Sequence, residues 1–287
     1  MRFFFQVLAE AFSEFQRKGG FVRSSHLALS FMFALFPFCI FALSLAAVFS
    51  RAADVDLLID FVLGYWPPEI VSPIERELRA VLQSGAGSLT FGALLSIVFA
   101  TNGVDAVRVV VTEAYRDTDP RPFWRVRLLA LLFVVVGTVL ILSTGMLSVG
   151  IPLVLLYFED VVPWLTQSIL SNDQFRSALT IGLLLFFLYA CHRWLPGVKH
   201  RFRDVAPGVV LTVLLWSGAS KGFAFYISNF STYSVTYAGL AGIMSVLVFL
   251  YVMSAIFVLG AEFNGRLMVR RHADETSQHR GKQAGDG

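Results

Sequence analysis

The chain has 287 residues, of which 56% are hydrophobic and only 15% charged, and its mean hydropathy is +0.68. Soluble domains carry roughly 45–50% apolar and about 25% charged residues, so this apolar surplus exceeds what one compact core can hide and must face lipid. The same figures exclude a disordered chain, and two cysteines inside apolar runs, Cys39 and Cys191, exclude a disulfide framework.

Residues 1–26 form a leader in which Phe4, Leu8, Phe12 and Phe15 recur at helical spacing, closed by Lys18 and Gly19. The pattern predicts an interfacial amphipathic helix on the inner leaflet. A hydrocarbon core of ~30 Å needs about 20 apolar residues in a helix. Six runs meet that need: 27–50, 89–111, 128–158, 177–195, 205–227 and 238–268. The first begins too far along the chain, and is too long, to be a cleavable signal. Barrel strands would alternate in polarity, whereas these runs are continuously apolar.

Between the first two runs, residues 51–88 hold a Pro67-Pro68 break followed by Ile70, Ile74, Leu78 and Val81 at helical spacing. Asp54, Asp60, Glu69, Glu75 and Glu77 take the wet sides, which predicts a small helical cap. Residues 269–287 lack apolar periodicity and are expected to be disordered. The expected fold class is all-α. It is a polytopic membrane helix bundle with six transmembrane helices in 27–268, an interfacial N-terminal helix and a periplasmic cap over 51–88.

Orientation follows from the basic residues. Eighteen of the 23 lysines and arginines fall in the leader, the second and fourth connections and the tail, and four fall in the alternate loops. The positive-inside rule then places both termini in the cytoplasm and the cap outside. The formal charge of +3 is accounted for by topology, so no nucleic-acid partner is implied. Nothing in the chain specifies an oligomeric state.

Searching for chemistry yields no enzyme constellation. His26, His192, His200, His272 and His279 fall at no zinc-ligand spacing, and neither a phosphate-binding glycine loop nor a G-x-S-x-G elbow occurs. No enzyme activity, cofactor or metal is therefore expected. His192 and His200 flank a basic turn and read as solvated interfacial side chains.

Polar residues at membrane depth carry the functional signal, because they are costly there. Asp105 follows Thr101-Asn102-Gly103 and precedes Arg108 by one turn; it is either half of an ion pair at a helix mouth or part of a transport path. Glu262 precedes Arg266 by one turn and has the same two readings. Lys221 either snorkels or lines a path. Pro37, Asn102-Gly103 and Gly145 with Gly150-Ile151-Pro152 are expected to break or kink their helices. Gly218 with Gly222, and Gly239 with Gly242, suit close helix contacts. The candidate substrate path is Asp105, Arg108, Glu262, Asn102, Pro37 and Lys221.

The stretches ALSFMFALFPF, ATNGVDAVRVVVTEAY, RPFWRVRLLALLF, VAPGVVLTVLLW, FYISNFSTYSVTYAGLAGIM and LYVMSAIFVLGAEFNGRL resemble the YihY/BrkB family of bacterial inner-membrane proteins. The resemblance spans roughly residues 10–268, and YAGLAGI…LGAEFN is its most specific part; Ala238 stands where the family often has glycine. It implies a six-span inner-membrane protein tied to envelope biology and to lipid handling or transport. The family has also carried the label ribonuclease BN, against which the missing H-x-H-x-D-H cluster speaks. The expected function is a translocation path for a lipid or lipid-linked amphipathic substrate, with membrane lipids as partners. The alternatives are a proton-coupled small-solute exporter and a non-transporting envelope scaffold.

Overall fold

The computed structural model describes residues 2–49, 71–72, 74–75, 79, 86–115, 118–152, 155, 172–198, 200–230 and 238–285. Its described elements are α1 (Arg2–Arg17), α2 (Gly20–Phe49), α3 (Ala86–Tyr115), α4 (Phe123–Gly145), α5 (Asp173–Trp194), α6 (Phe202–Phe230) and α7 (Ala238–Gly285). The protein is an all-α helix bundle. Four of these helices contain segments long and apolar enough to cross a membrane: Phe123–Gly145, Asp173–Trp194, Phe202–Ile227 and Ile243–Arg271. Leu128, Leu132, Val135 and Val139 lie exposed along α4, as a lipid-facing stripe must.

α1 is amphipathic, but its buried face differs from the expected stripe. Val7, Ala11 and Phe15 are buried with Glu14, whereas Phe4 and Phe12 are 54% and 46% exposed. The reason is docking: Val7 and Ala11 pack on Phe263 and Leu267 of α7, which turns the other aromatic rings outward. Gly19 closes the helix in the left-handed region, φ 67, where glycine carries no steric penalty. Gly20 is equally constrained, since a Cβ there would sit 2.4 Å from the Phe15 ring.

α2 packs on α3 and α7, α3 also on α4 and α7, and α6 on α5 and α7. One core joins Leu27, Val107, Val111, Leu188, Val205 and Val258 at the end of the bundle where α1, the α3–α4 turn and the α5–α6 turn meet. The long third apolar run changes its winding between its glycines and continues as helix at Ile151 and Pro152. α4 gives way to a π-helical turn over Met146–Gly150, and a Cβ on Gly150 would lie 2.5 Å from the Met146 sulfur. α2 and α3, by contrast, run through Pro37 and through Asn102-Gly103 without a break.

Of the glycines the spacing suggested, Gly218 and Gly222 do not bring helices together. Among the described residues, Gly218 and Gly222 have open space beside them; Gly239 and Gly242 lie where side-chain surroundings are not described. A Cβ on Gly208 would instead lie 2.3 Å from the Gly260 carbonyl, and one on Gly260 2.1 Å from Thr212 Oγ1. A Cβ on Gly265 would likewise lie 2.3 Å from the Ala114 carbonyl of α3. These contacts depend on which helix lies opposite, and a small-residue motif does not contain that information.

Two further expectations differ or fall outside view. Residues 269–285, expected to be disordered, continue α7 as helical backbone. A run rich in Ala, Glu, Gln, Lys and Arg extends an already nucleated helix at little cost. The expected cap over 51–88 lies mostly outside the described residues. Those described at 71, 72, 74, 75 and 79 are helical, Ile74 is buried, and Arg79 pairs with Glu75 at 2.5 Å.

Candidate functional site

The α3–α4 turn gathers the first polar cluster. Arg108 Nε donates to Asp105 Oδ1 at 2.7 Å, the pairing expected from the one-turn spacing, and its NH1 donates to Asp119 Oδ2 at 2.8 Å. Asp119 also receives Arg121 Nε and NH2, both at 2.7 Å. These bonds hold the Asp119 carboxyl well below its ordinary range, at about 2, with the Arg121 hydrogen bond the largest cause and burial opposing it. Arg121 reaches further, donating to the Leu195 and Trp194 carbonyls at the end of α5 at 2.5 and 3.4 Å. One arginine thereby satisfies helix-end acceptors and orients a carboxylate.

Beside this cluster, Arg127 of α4 donates through NH1 to Asn102 Oδ1 of α3 at 2.8 Å. Two clefts meet at Asp105. One, of 290 Å³, is lined by Asp105, Arg108, Asp119, Arg121, Phe123 and Arg127, among others. The other, of 350 Å³, includes His26, Phe33, Phe99, Asn102, Asp105 and Val109.

Glu262 belongs to a different cluster. It is 2% exposed and accepts from Lys18 Nζ at 2.9 Å on both oxygens, with Arg23 3.8 Å away. Its expected partner, Arg266, binds Glu14 Oε2 at 2.5 Å instead. Arg17 also holds Glu14, with Nε at 3.0 Å and NH2 at 2.6 Å, and Arg23 holds Glu113 at 2.9 Å. Two buried carboxylates, one on α1 and one on α7, are thus neutralised by cations from α1, α2 and α7. Burial of such charges requires this degree of pairing.

A third cluster has no motif in the sequence to mark it. His192, expected to be solvated, is fully buried, and its Nδ1 lies 2.6 Å from Tyr115 Oη. Asn264 Nδ2 donates to the same oxygen at 3.2 Å and to the Val205 carbonyl at 2.8 Å, while Gly208 N donates to Asn264 Oδ1 at 2.7 Å. Tyr115 donating to Nδ1 while accepting from Asn264 uses each atom once. Pro207 within α6 lacks an N–H, which leaves the Arg203 carbonyl without its helical donor. Arg271 NH1 serves that carbonyl at 2.7 Å and pairs with Asp204 at 2.8 Å.

The structure therefore brings Asn102, Asp105 and Arg108 together and sets Glu262 apart with the leader. Lys221 is exposed on α6, and Pro37 lies within α2. Asp119, Arg121 and Arg127 are additions to the site. Their only signal in the sequence is the clustering of arginines around the start of α4, which also sets the orientation. No group of three His, Cys, Asp or Glu able to hold a metal occurs among the described residues.

Apolar helices with exposed hydrophobic faces, closed at one end by ion pairs, define a multi-pass membrane protein. A model of the family described as virulence factor BrkB matches residues 11–285. The chain belongs to that family, the YihY/BrkB or UPF0761 group of multi-pass bacterial inner-membrane proteins. It is 30% identical over 281 residues to a ribonuclease-like protein, YfkH, of Bacillus subtilis, covering 95% of this chain and 99% of that one. UPF0761 membrane proteins of Vibrio atlanticus and Tolumonas auensis are 27% and 24% identical, over 86% of this chain in each case and 77% and 80% of theirs. No solved structure matches.

Proposed function

We propose that the protein provides a translocation path for a lipid or lipid-linked amphipathic envelope substrate, with Asn102, Asp105 and Arg108 at its polar mouth. The observation that carries this reading is the pair of clefts meeting at Asp105. One is lined by Arg108, Asp119, Arg121 and Arg127, the other by Phe33, Phe99, Ala106 and Val109 together with the polar His26, Ser30 and Asn102. An arginine-rich niche beside one that adds aromatic rings suits the two ends of an amphipathic molecule, and guanidinium groups suit phosphate. Glu262 and Lys221 are not among the described residues lining either cleft, so this reading gives them positions outside the mouth.

The proposal includes six spans, with α2 and α3 added to the four long apolar helices. At 30 residues each, they reach ~45 Å at 1.5 Å per residue. Both termini are cytoplasmic, residues 1–26 lie at the inner leaflet and 51–88 cap the outer face. The test is lipid movement between leaflets of vesicles reconstituted with the full chain. Loss on Asp105→Asn with Arg108→Gln supports the path. Dependence on a pH gradient would favour proton-coupled export. Unchanged movement with both charges removed would sink the path, and loss of envelope function on deleting 54–83 alone would favour a scaffold.

A further inference from the structure

Resting on the reading of this mouth as a lipid path, we infer that the paired clefts bind one phospholipid headgroup carrying a primary ammonium. Its phosphate sits on Arg127 and its ammonium on Asp105. The first support is the charge inventory of the polar cleft, which contains Arg108, Arg121 and Arg127 against Asp105 and Asp119. Asp119 is held by both Arg108 and Arg121, and Asp105 Oδ1 by Arg108 Nε. Arg127 has a neutral partner, the Asn102 amide, and among the described residues it makes no ion pair with a carboxylate. Its guanidinium has five N–H donors, of which NH1 uses one here, and the fork matches phosphate oxygens.

The second support is the position of Asp105. It lines both clefts, and its side chain is 38% exposed despite its bond to Arg108. Asn102, which moors Arg127, lies one turn before Asp105 on α3. Neighbours at that spacing are about 5–6 Å apart, a separation that a phosphate and an ammonium joined by two carbons can span. A choline headgroup offers no N–H to Asp105, and a glycerol headgroup brings it no cation beyond Arg108.

The surroundings fit a lipid. Phe33 is 62% exposed, and its ring lies 6.3 Å from that of Phe99 in the neighbouring cleft, where acyl chains would begin. Phe123 and Trp124 stand exposed at the start of α4, and Arg125 stacks over the Trp124 ring at 5.0 Å. Exposed aromatic rings paired with arginine suit headgroup depth.

The test is a native mass-spectrometric titration of the full chain, in detergent, with didecanoyl phosphatidylethanolamine, phosphatidylglycerol and phosphatidylcholine. Phosphatidylethanolamine should bind about tenfold tighter than the other two, as expected for one added charge-assisted hydrogen bond. Arg127→Gln should lower its binding about tenfold, with Arg127→Lys between the two. Asp105→Asn should abolish the preference over phosphatidylcholine and turn selectivity towards phosphatidylglycerol, a reversal that mere loosening of the fold would not produce. Equal or tighter binding of phosphatidylglycerol by the native chain would overturn the site. So would an unchanged preference in Asp105→Asn. If Arg127→Gln does not assemble, Arg127→Lys with native affinity overturns it in its place. The two readings fail separately: selective binding without lipid movement in vesicles sinks translocation alone, and movement without headgroup selectivity sinks this site alone.

Discussion

Lys18, at the hinge after α1, donates to both carboxylate oxygens of Glu262 on α7 at 2.9 Å, across 244 positions of sequence. This contact makes the leader part of the bundle. Glu14 and Arg266 repeat the link with the charges exchanged, α1 supplying the acid and α7 the base.

Breaking one side of this clamp should be costly, because it leaves the buried Glu262 carboxylate with only the more distant Arg23 at 3.8 Å. Lys18→Met is expected to destabilise the detergent-solubilised protein by about 3 kcal/mol. The double variant Lys18→Met, Glu262→Met should lose much less than the sum of the singles. Denaturant or thermal unfolding of the four proteins checks this, and additive losses would contradict it.

The Tyr115–Asn264–His192 cluster should behave as one unit. Tyr115→Phe and Asn264→Ala each leave buried polar atoms without partners and should cost about 1–3 kcal/mol. The double variant should lose less than the two losses added. Strict additivity in unfolding measurements would show that Tyr115 and Asn264 act independently.

Close helix approach should reside at Gly208 and Gly260. Gly260→Ala forces its methyl group into Thr212, and Gly208→Ala into the Gly260 carbonyl, so each should destabilise by about 1–3 kcal/mol. Gly218→Ala and Gly222→Ala have space and should stay within about 0.5 kcal/mol of native. Melting temperatures of the four variants test the contrast.

Asp119 predicts an acid limit. Its carboxyl titrates at about 2 in the fold against 3.8 ordinarily, so the folded state favours the ionised form. The resulting stability is complete above the ordinary value and is lost as pH falls from there through about 2. Asp119→Asn should lower stability at neutral pH and flatten its decline across that acid window. A native-like decline in the variant would assign the acid sensitivity elsewhere.

Topology can be read by labelling. With Cys39 and Cys191 replaced by serine, a cysteine at Glu75 should react with a membrane-impermeant maleimide added outside the inner membrane, and one at Glu10 only after permeabilisation. Labelling of position 75 solely from the cytoplasm would reverse the proposed orientation.

Much of the architecture was legible in the chain because lipid imposes a strong constraint on composition. Apolar run length identified α4 to α7, although their ends differ by several residues, and Gly145 with Gly150 marked where the third run changes its winding. Asp105 and Arg108 were also legible, since partners one turn apart share a helix face. The buried face of α1 was not. An aromatic stripe shows that a helix is amphipathic but not which of its faces meets protein and which meets lipid.

The sequence by itself determined an apolar, all-helical membrane chain, because hydrophobic run length and local helix periodicity need no partner to be read. Only the tertiary structure decided the long-range pairings: Glu262 with Lys18 rather than Arg266, Arg127 with Asn102, and His192 buried against Tyr115. A buried charge or hydrogen-bonding group takes whatever complement the packed helices bring within about 3 Å. That distance is set by the helix approaches at Gly208, Gly260 and Gly265, which no local spacing encodes.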